Sequence, residues 1–171
     1  MLNKDENTKV LFVIGMEHKL ENIIKQKMSI NPESILFIHG YRHDAIEPFG
    51  NLMREIILAV YMENVEEIYL VSMHDVKKND RSILNKICER IGSQEEIETV
   101  DYLFKNCRPE FPNSNVKEWL EGSKPLTTAE RTDVIRNHPL MPTNVKVTEL
   151  FIDMVGEKIY NEPVDKTAGN F

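Results

Sequence analysis

The sequence predicts an α/β fold: a three-layer, mostly parallel β-sheet flanked by helices. Three observations point there. Short apolar runs alternate with amphipathic stretches along much of the chain, the pattern of strands joined by crossover helices. Two of the runs, Val10–Ile14 and Ile68–Met73, are nearly unbroken, as strands buried on both faces must be. Both then end abruptly in polar residues: Gly15-Met16-Glu17-His18-Lys19 after the first and His74-Asp75-Val76-Lys77 after the second. Polar tips at the carboxyl ends of parallel strands are where open α/β sheets place their ligands. If the two strands are neighbours, their tips face each other across one crevice.

Taken in order, residues 1–7 are polar and form a tail, and the first strand runs from Lys9 to Ile14. Met16, Leu20, Ile23, Ile24 and Met28 recur at helical spacing. Asn31-Pro32-Glu33 breaks that helix, and Ser34–Ile38 is a second strand running into the polar His39-Gly40-Tyr41-Arg42-His43-Asp44. Phe49, Leu52, Met53, Ile56, Ile57, Val60 and Tyr61 form a wide helical stripe expected to face the core. Met53, Met62 and Met73 are expected as core filler.

After the third strand, Ile83, Leu84, Ile87, Cys88 and Ile91 share one face of a helix begun near Asn79 or Asp80 and stopped by Gly92. Ile97, Val100 and Phe104 indicate another helix, and Val116, Trp119 and Leu120 a shorter one, with Cys107–Pro112 as loop between them. Thr127 with Glu130 is a capping box opening a helix to about Asn137, and His138-Pro139-Leu140-Met141-Pro142 cannot continue it. Val145–Asp153 is a late strand, with Lys158-Ile159-Tyr160 pairing beside it after a turn at Gly156. The organisation expected is one domain over residues 8–162, between the amino-terminal tail and a carboxyl-terminal tail at 163–171.

The totals narrow the classes of function. A net charge of −7 disfavours nucleic acid, whose phosphates require a basic face. No apolar run approaches the roughly 20 residues that span a bilayer, and the amino terminus lacks the apolar core of a secretory signal, so a cytoplasmic location is expected. Cys88 and Cys107 alone support neither a disulfide framework nor a thiolate zinc ribbon. A nucleotide-binding module is disfavoured, because neither GxGxxG nor a P-loop is present.

The order of these segments resembles the β-class carbonic anhydrases. In that family the first strand ends in Cys-x-Asp-x-Arg, where this chain has Gly15-Met16-Glu17-His18-Lys19. The second strand runs into Arg-Asn-Ala-Gly, where Ile38-His39-Gly40-Tyr41-Arg42 stands here. The third ends in His-x-x-Cys-Gly, against Met73-His74-Asp75-Val76-Lys77. Asn137–Pro142, with Val145, Val147, Asp153 and Gly156, matches the family's late segment best, and the resemblance spans roughly residues 8 to 160.

The departures concern chemistry. The resemblance implies zinc ligands at Gly15, Met73 and Val76, and none of these suits zinc. Glycine has no side chain, valine no donor atom, and a thioether fits copper(I) better. Without zinc nothing lowers the pKa of a bound water toward ~7. The family's Asp-Arg dyad survives only in charge, as Glu17 and Lys19, and lysine lacks arginine's two-pronged fork.

The expectation is therefore a carbonic-anhydrase-like fold with no metal cofactor and no zinc-dependent CO₂ hydration. It would bind bicarbonate or another small anion, or act as a partner subunit. Lys19, Arg42, His74 and Lys77 are the candidate anion-binding residues. The alternative is a carbonic-anhydrase-type lyase, or a related hydrolase, with zinc in a rearranged site drawn from His74, Asp75, His43 and His18. The resemblance also implies a homodimer.

Overall fold

The computed structural model describes residues 7–17, 19–41, 46–74, 83–106, 115–121, 127–153 and 155–161. They divide between two compact units, Met1–Val76 with Leu126–Phe171, and Lys77–Pro125.

The first unit holds the sheet. Its strands are β1 (Lys9–Ile14), β2 (Ile35–His39), β3 (Val65–His74), β4 (Lys146–Asp153) and β5 (Lys158–Tyr160), in the spatial order β2-β1-β3-β4-β5. The first four are parallel and β5 closes the edge antiparallel to β4. A mostly parallel α/β sheet is what the alternating apolar runs predict. The second strand begins one residue late because Pro32–Ser34 forms a short 3₁₀ turn, capped by the Asn31 side chain accepting from the Glu33 N–H.

Helices cover both faces. Leu20, Ile23 and Ile24 of α1 (Leu20–Lys27) pack with Phe12, Ile14, Val71, Leu150 and Ile152 on one side. On the other side lie α2 (Asn51–Met62) and α6 (Thr128–Arg136), whose Met53, Ile56, Val60 and Ile135 meet Leu11, Val13, Ile68, Leu70 and Val147. These are the three layers, with a parallel sheet buried on both faces as crossover helices require. On the α1 face, Phe12 stacks on Tyr69 with ring centres 5.1 Å apart and meets Phe37 at 5.7 Å.

Turn chemistry sets the ends. Asn64 adopts φ 55° in the tight connection between α2 and β3, and its carbonyl accepts from the Lys9 N–H at 3.1 Å. The capping box of α6 is complete: the Thr127 hydroxyl accepts from the Glu130 N–H, and the Glu130 carboxylate accepts from the Thr127 N–H at 2.7 Å. In the last hairpin the left-handed residue is Glu157, at φ 48°, rather than Gly156.

The wide stripe on α2 is narrower than expected. Met53, Ile56 and Val60 are buried and Leu52 and Ile57 half-buried, but Phe49 is 90% exposed and Tyr61 62% exposed. Phe49 precedes the helix, and Tyr61 turns its hydroxyl to the Leu140 carbonyl at 2.6 Å. Of the methionines expected as filler, Met53 is fully buried while Met62 is largely exposed at the end of α2.

In the second unit are α3 (Ile83–Ile91), α4 (Glu95–Asn106) and α5 (Val116–Glu121). Gly92, at φ 79°, stops α3 as expected of a glycine in the left-handed region. Ile87, Ile97, Val100 and Leu120 line a shallow apolar groove, and Phe104 lies against Trp119 at 5.7 Å. The Cys107–Pro112 loop and the start expected near Asn79 lie outside the described residues.

Candidate functional site

The strand order places a topological switch point between β1 and β3. From β1 the chain moves to β2 on one side, then crosses to β3 on the other, and the carboxyl ends of strands at such a point are where open α/β sheets place their ligands. Gly15 follows β1 and His74 ends β3, as the polar tips predict.

His39 supplies the best-defined contacts at this end. At the close of β2, its Nδ1 donates to the Gly15 carbonyl at 3.0 Å, while Nε2 meets the Glu21 carboxylate in the first turn of α1. A carbonyl only accepts, so Nδ1 carries a proton. His39 thereby ties β2, β1 and α1 together at the switch point. Glu21 also lies 3.8 Å from Lys25, whose ammonium sits 5.4 Å above the Phe37 ring.

The family's zinc positions can be tested against these surroundings. Gly15 offers no side chain, and its carbonyl is taken by His39. Met73 is half-buried, with its side chain packed against the apolar cluster on the α1 face. Neither residue fits a zinc ligand. Val76 lies outside the described residues. Among the described residues, no group of three His, Cys, Asp or Glu side chains is placed to hold a metal ion.

The sequence-predicted site residues distribute as follows. Glu17 and Lys19 both lie just before α1, exposed, with no ion pair between them. His74 ends β3 in register with Asp153. His18, Arg42, His43, Asp75 and Lys77 lie outside the described residues. His138, before Pro139, is structural as read: it is buried, its Nδ1 accepts from the Leu140 N–H at 3.1 Å, and the Phe49 ring meets it edge-on at 5.5 Å.

Sequence reasoning missed a polar cluster on the sheet face beneath α6. Arg131 is only 5% exposed, and its Nη2 donates to Ser72 Oγ on β3 at 2.6 Å. Glu149 on β4 lies 3.9 Å away. Burial pushes the Glu149 carboxyl above its ordinary value, while the Arg131 charge and a hydrogen bond from Thr132 oppose that rise. A signal did exist. Arg131 stands four residues before Ile135 on the core-facing side of a helix, and Glu149 alternates with Val147 on a core-facing strand. Opposite charges at two core-facing positions mark a buried pair.

With fold and site described, the comparisons locate the class. No protein-family model matches the chain. It is 39% identical over 157 residues to the Bacillus subtilis (strain 168) protein YbcF, which bears a carbonic-anhydrase-like name, covering 92% of this chain and 88% of that protein. YtiB of the same organism, also named for carbonic anhydrase, is 29% identical over 156 residues, covering 88% and 79%. Among solved structures, β-carbonic anhydrase isoform I of Trichomonas vaginalis superposes with TM-score 0.62 at 18% identity over 94% of this chain and 85% of that one. A carbon disulfide hydrolase in its apo form gives TM-score 0.66 at 17% identity, covering 96% and 84%. The shared architecture is that of the β-class carbonic anhydrases. The chain belongs to that family, as a divergent member with no zinc-binding group among its described residues.

Proposed function

We propose that this chain is a β-carbonic-anhydrase relative that works without zinc-dependent CO₂ hydration and binds a small anion, bicarbonate foremost, at the carboxyl end of its sheet. One observation carries the reading. Where the family presents metal ligands, this chain has a glycine whose carbonyl is held by His39 and a methionine packed into the apolar core. A hydroxide nucleophile at neutral pH requires a metal that lowers the pKa of its water, and these two residues offer such a metal no anchor. Supporting the reading, Lys19 is exposed immediately before α1, close in sequence to the carboxyl end of β1, where open α/β sheets place their ligands.

Elemental analysis of protein prepared without an affinity tag, paired with a CO₂ hydration assay, tests the proposal. The expected result is far less than one zinc per chain and hydration at the buffer background. Stoichiometric zinc with hydration well above background would overturn it and favour the rearranged centre built from His74, Asp75, His43 or His18. His74→Ala would then remove metal and activity together.

A further inference from the structure

Beneath α6 the fold buries a cation and gives it an incomplete set of partners. The Arg131 guanidinium stays charged at any physiological pH, and its Nε–H finds no acceptor among the described residues. Its Nη2 donates to Ser72 Oγ at 2.6 Å, which leaves the serine's own proton available to donate. The carboxylate that should balance the charge falls short: Glu149 Oε1 is 3.9 Å from Nη2, and that oxygen has no hydrogen-bond partner among the described residues. Charge-assisted bonds of this kind close to about 2.7–2.9 Å. Nε and Nη2 form one edge of the guanidinium, a two-donor fork that matches a planar carboxylate.

We propose that Arg131 and Ser72 seat a small carboxylate or oxyanion, of formate or bicarbonate size, whose arrival displaces Glu149 from the guanidinium and leaves that carboxyl protonated. This deepens the anion-binding reading above and rests on it, assigning the anion to residues other than Lys19. No covalent bond changes. One anion and one proton are taken up together, the anion by the guanidinium and the serine hydroxyl, the proton by Glu149. Burial already resists ionisation of that carboxyl, so the exchange runs with the environment. The groups facing it are Arg131 and Thr132 from α6 and Ser72 from β3, while Arg136 of α6 donates to the Val147 carbonyl one step back along β4. Arg131 is only 5% exposed, which is why the proposal is confined to a compact ion.

Titration calorimetry of the full chain with sodium formate in chloride-free buffer, from pH 5 to 8, tests this, with bicarbonate as competitor at the upper end. Where Glu149 is ionised, formate affinity should weaken by up to about tenfold per pH unit. Glu149→Gln, nearly the same shape and always neutral, should bind formate at least several-fold tighter than the parent at pH 8 and with a flat pH response. Arg131→Met should abolish binding. If that variant does not fold, Arg131→Lys keeps the charge without the fork, and Ser72→Ala removes one donor; both should weaken binding several-fold. A pH slope retained in Glu149→Gln, or parental affinity in the Arg131 and Ser72 variants, overturns the proposal. If Lys19→Met alone removes binding, this site falls while the broader anion reading stands. No binding by the parent at any pH sinks both.

Discussion

The two faces of the sheet solve burial differently. Under α1 the sheet is largely apolar or aromatic, with Phe37, Phe12 and Tyr69 in a row across three strands, until His39 at the tip of β2 meets Glu21 of α1. Under α2 and α6, an equally apolar region gives way toward the strand tips to Arg131, Ser72 and Glu149. The first face gains stability from area removed from water and shape complementarity. The second sets burial of an ion pair against a desolvation cost that its loose geometry does not recover. Polarity enters at the strand tips on both faces, as the His39–Glu21 pair under α1 and as the buried Arg131, Ser72 and Glu149 under α6. Tyr69, the polar member of the aromatic row, bonds outward to Glu67 at 3.0 Å, and burial with that neighbour pushes its phenol up to about 12.

The largest way to break the contrast is Phe12→Ala. Phe12 is fully buried between two rings, so its removal should cost about 3–5 kcal/mol, or a fall in Tm on the order of 10 °C, read by thermal denaturation. A loss below about 1 kcal/mol would show that the aromatic row is loosely packed.

Glu149→Gln sharpens the other side. The native fold raises the Glu149 pKa, so it holds that proton more tightly than the unfolded chain does. The stabilisation this gives is fully present below the ordinary value of 4.5 and is lost as pH rises through the native value. Denaturant melts of parent and variant should therefore diverge upward from about pH 4.5 in the variant's favour. The difference should grow by at most about 1.4 kcal/mol per pH unit within that window. Parallel curves from pH 4 to 7 would contradict the shift.

The smallest effect is at the rim of α6. Thr127→Ala removes one half of the capping box and should cost about 1 kcal/mol, with little change in pH dependence.

These elements also show how far residues alone reach. The capping box, the glycine stop after α3 and the two buried strands follow from local rules, because each depends on neighbours within a few positions. The parallel sheet follows from the alternation of strand and helix, whereas the adjacency of β1 and β3, left conditional in the sequence, is given by the fold. The absence of zinc donors at Gly15 and Met73 was legible from their chemistry once the family layout was in view. The Arg131–Ser72–Glu149 cluster was not read, because Ser72 lies 59 residues before Arg131 and 77 before Glu149, and only the packing of α6 on β3 and β4 brings them together. His39 was noted as a strand-end histidine, but its partners, Gly15 and Glu21, sit on separate elements that no spacing rule joins.

The arginines of α6 have a mechanical consequence. Arg131 grips Ser72 on β3 and Arg136 grips the Val147 carbonyl on β4, five positions along one helix and fastened to two different strands. Sliding α6 by one residue would move both guanidinium groups about 1.5 Å along the axis and stretch both bonds at once. Such a doubly anchored rod behaves as a fixed wall, so rearrangement around an incoming ion falls to side chains such as Glu149 and leaves the helix in place.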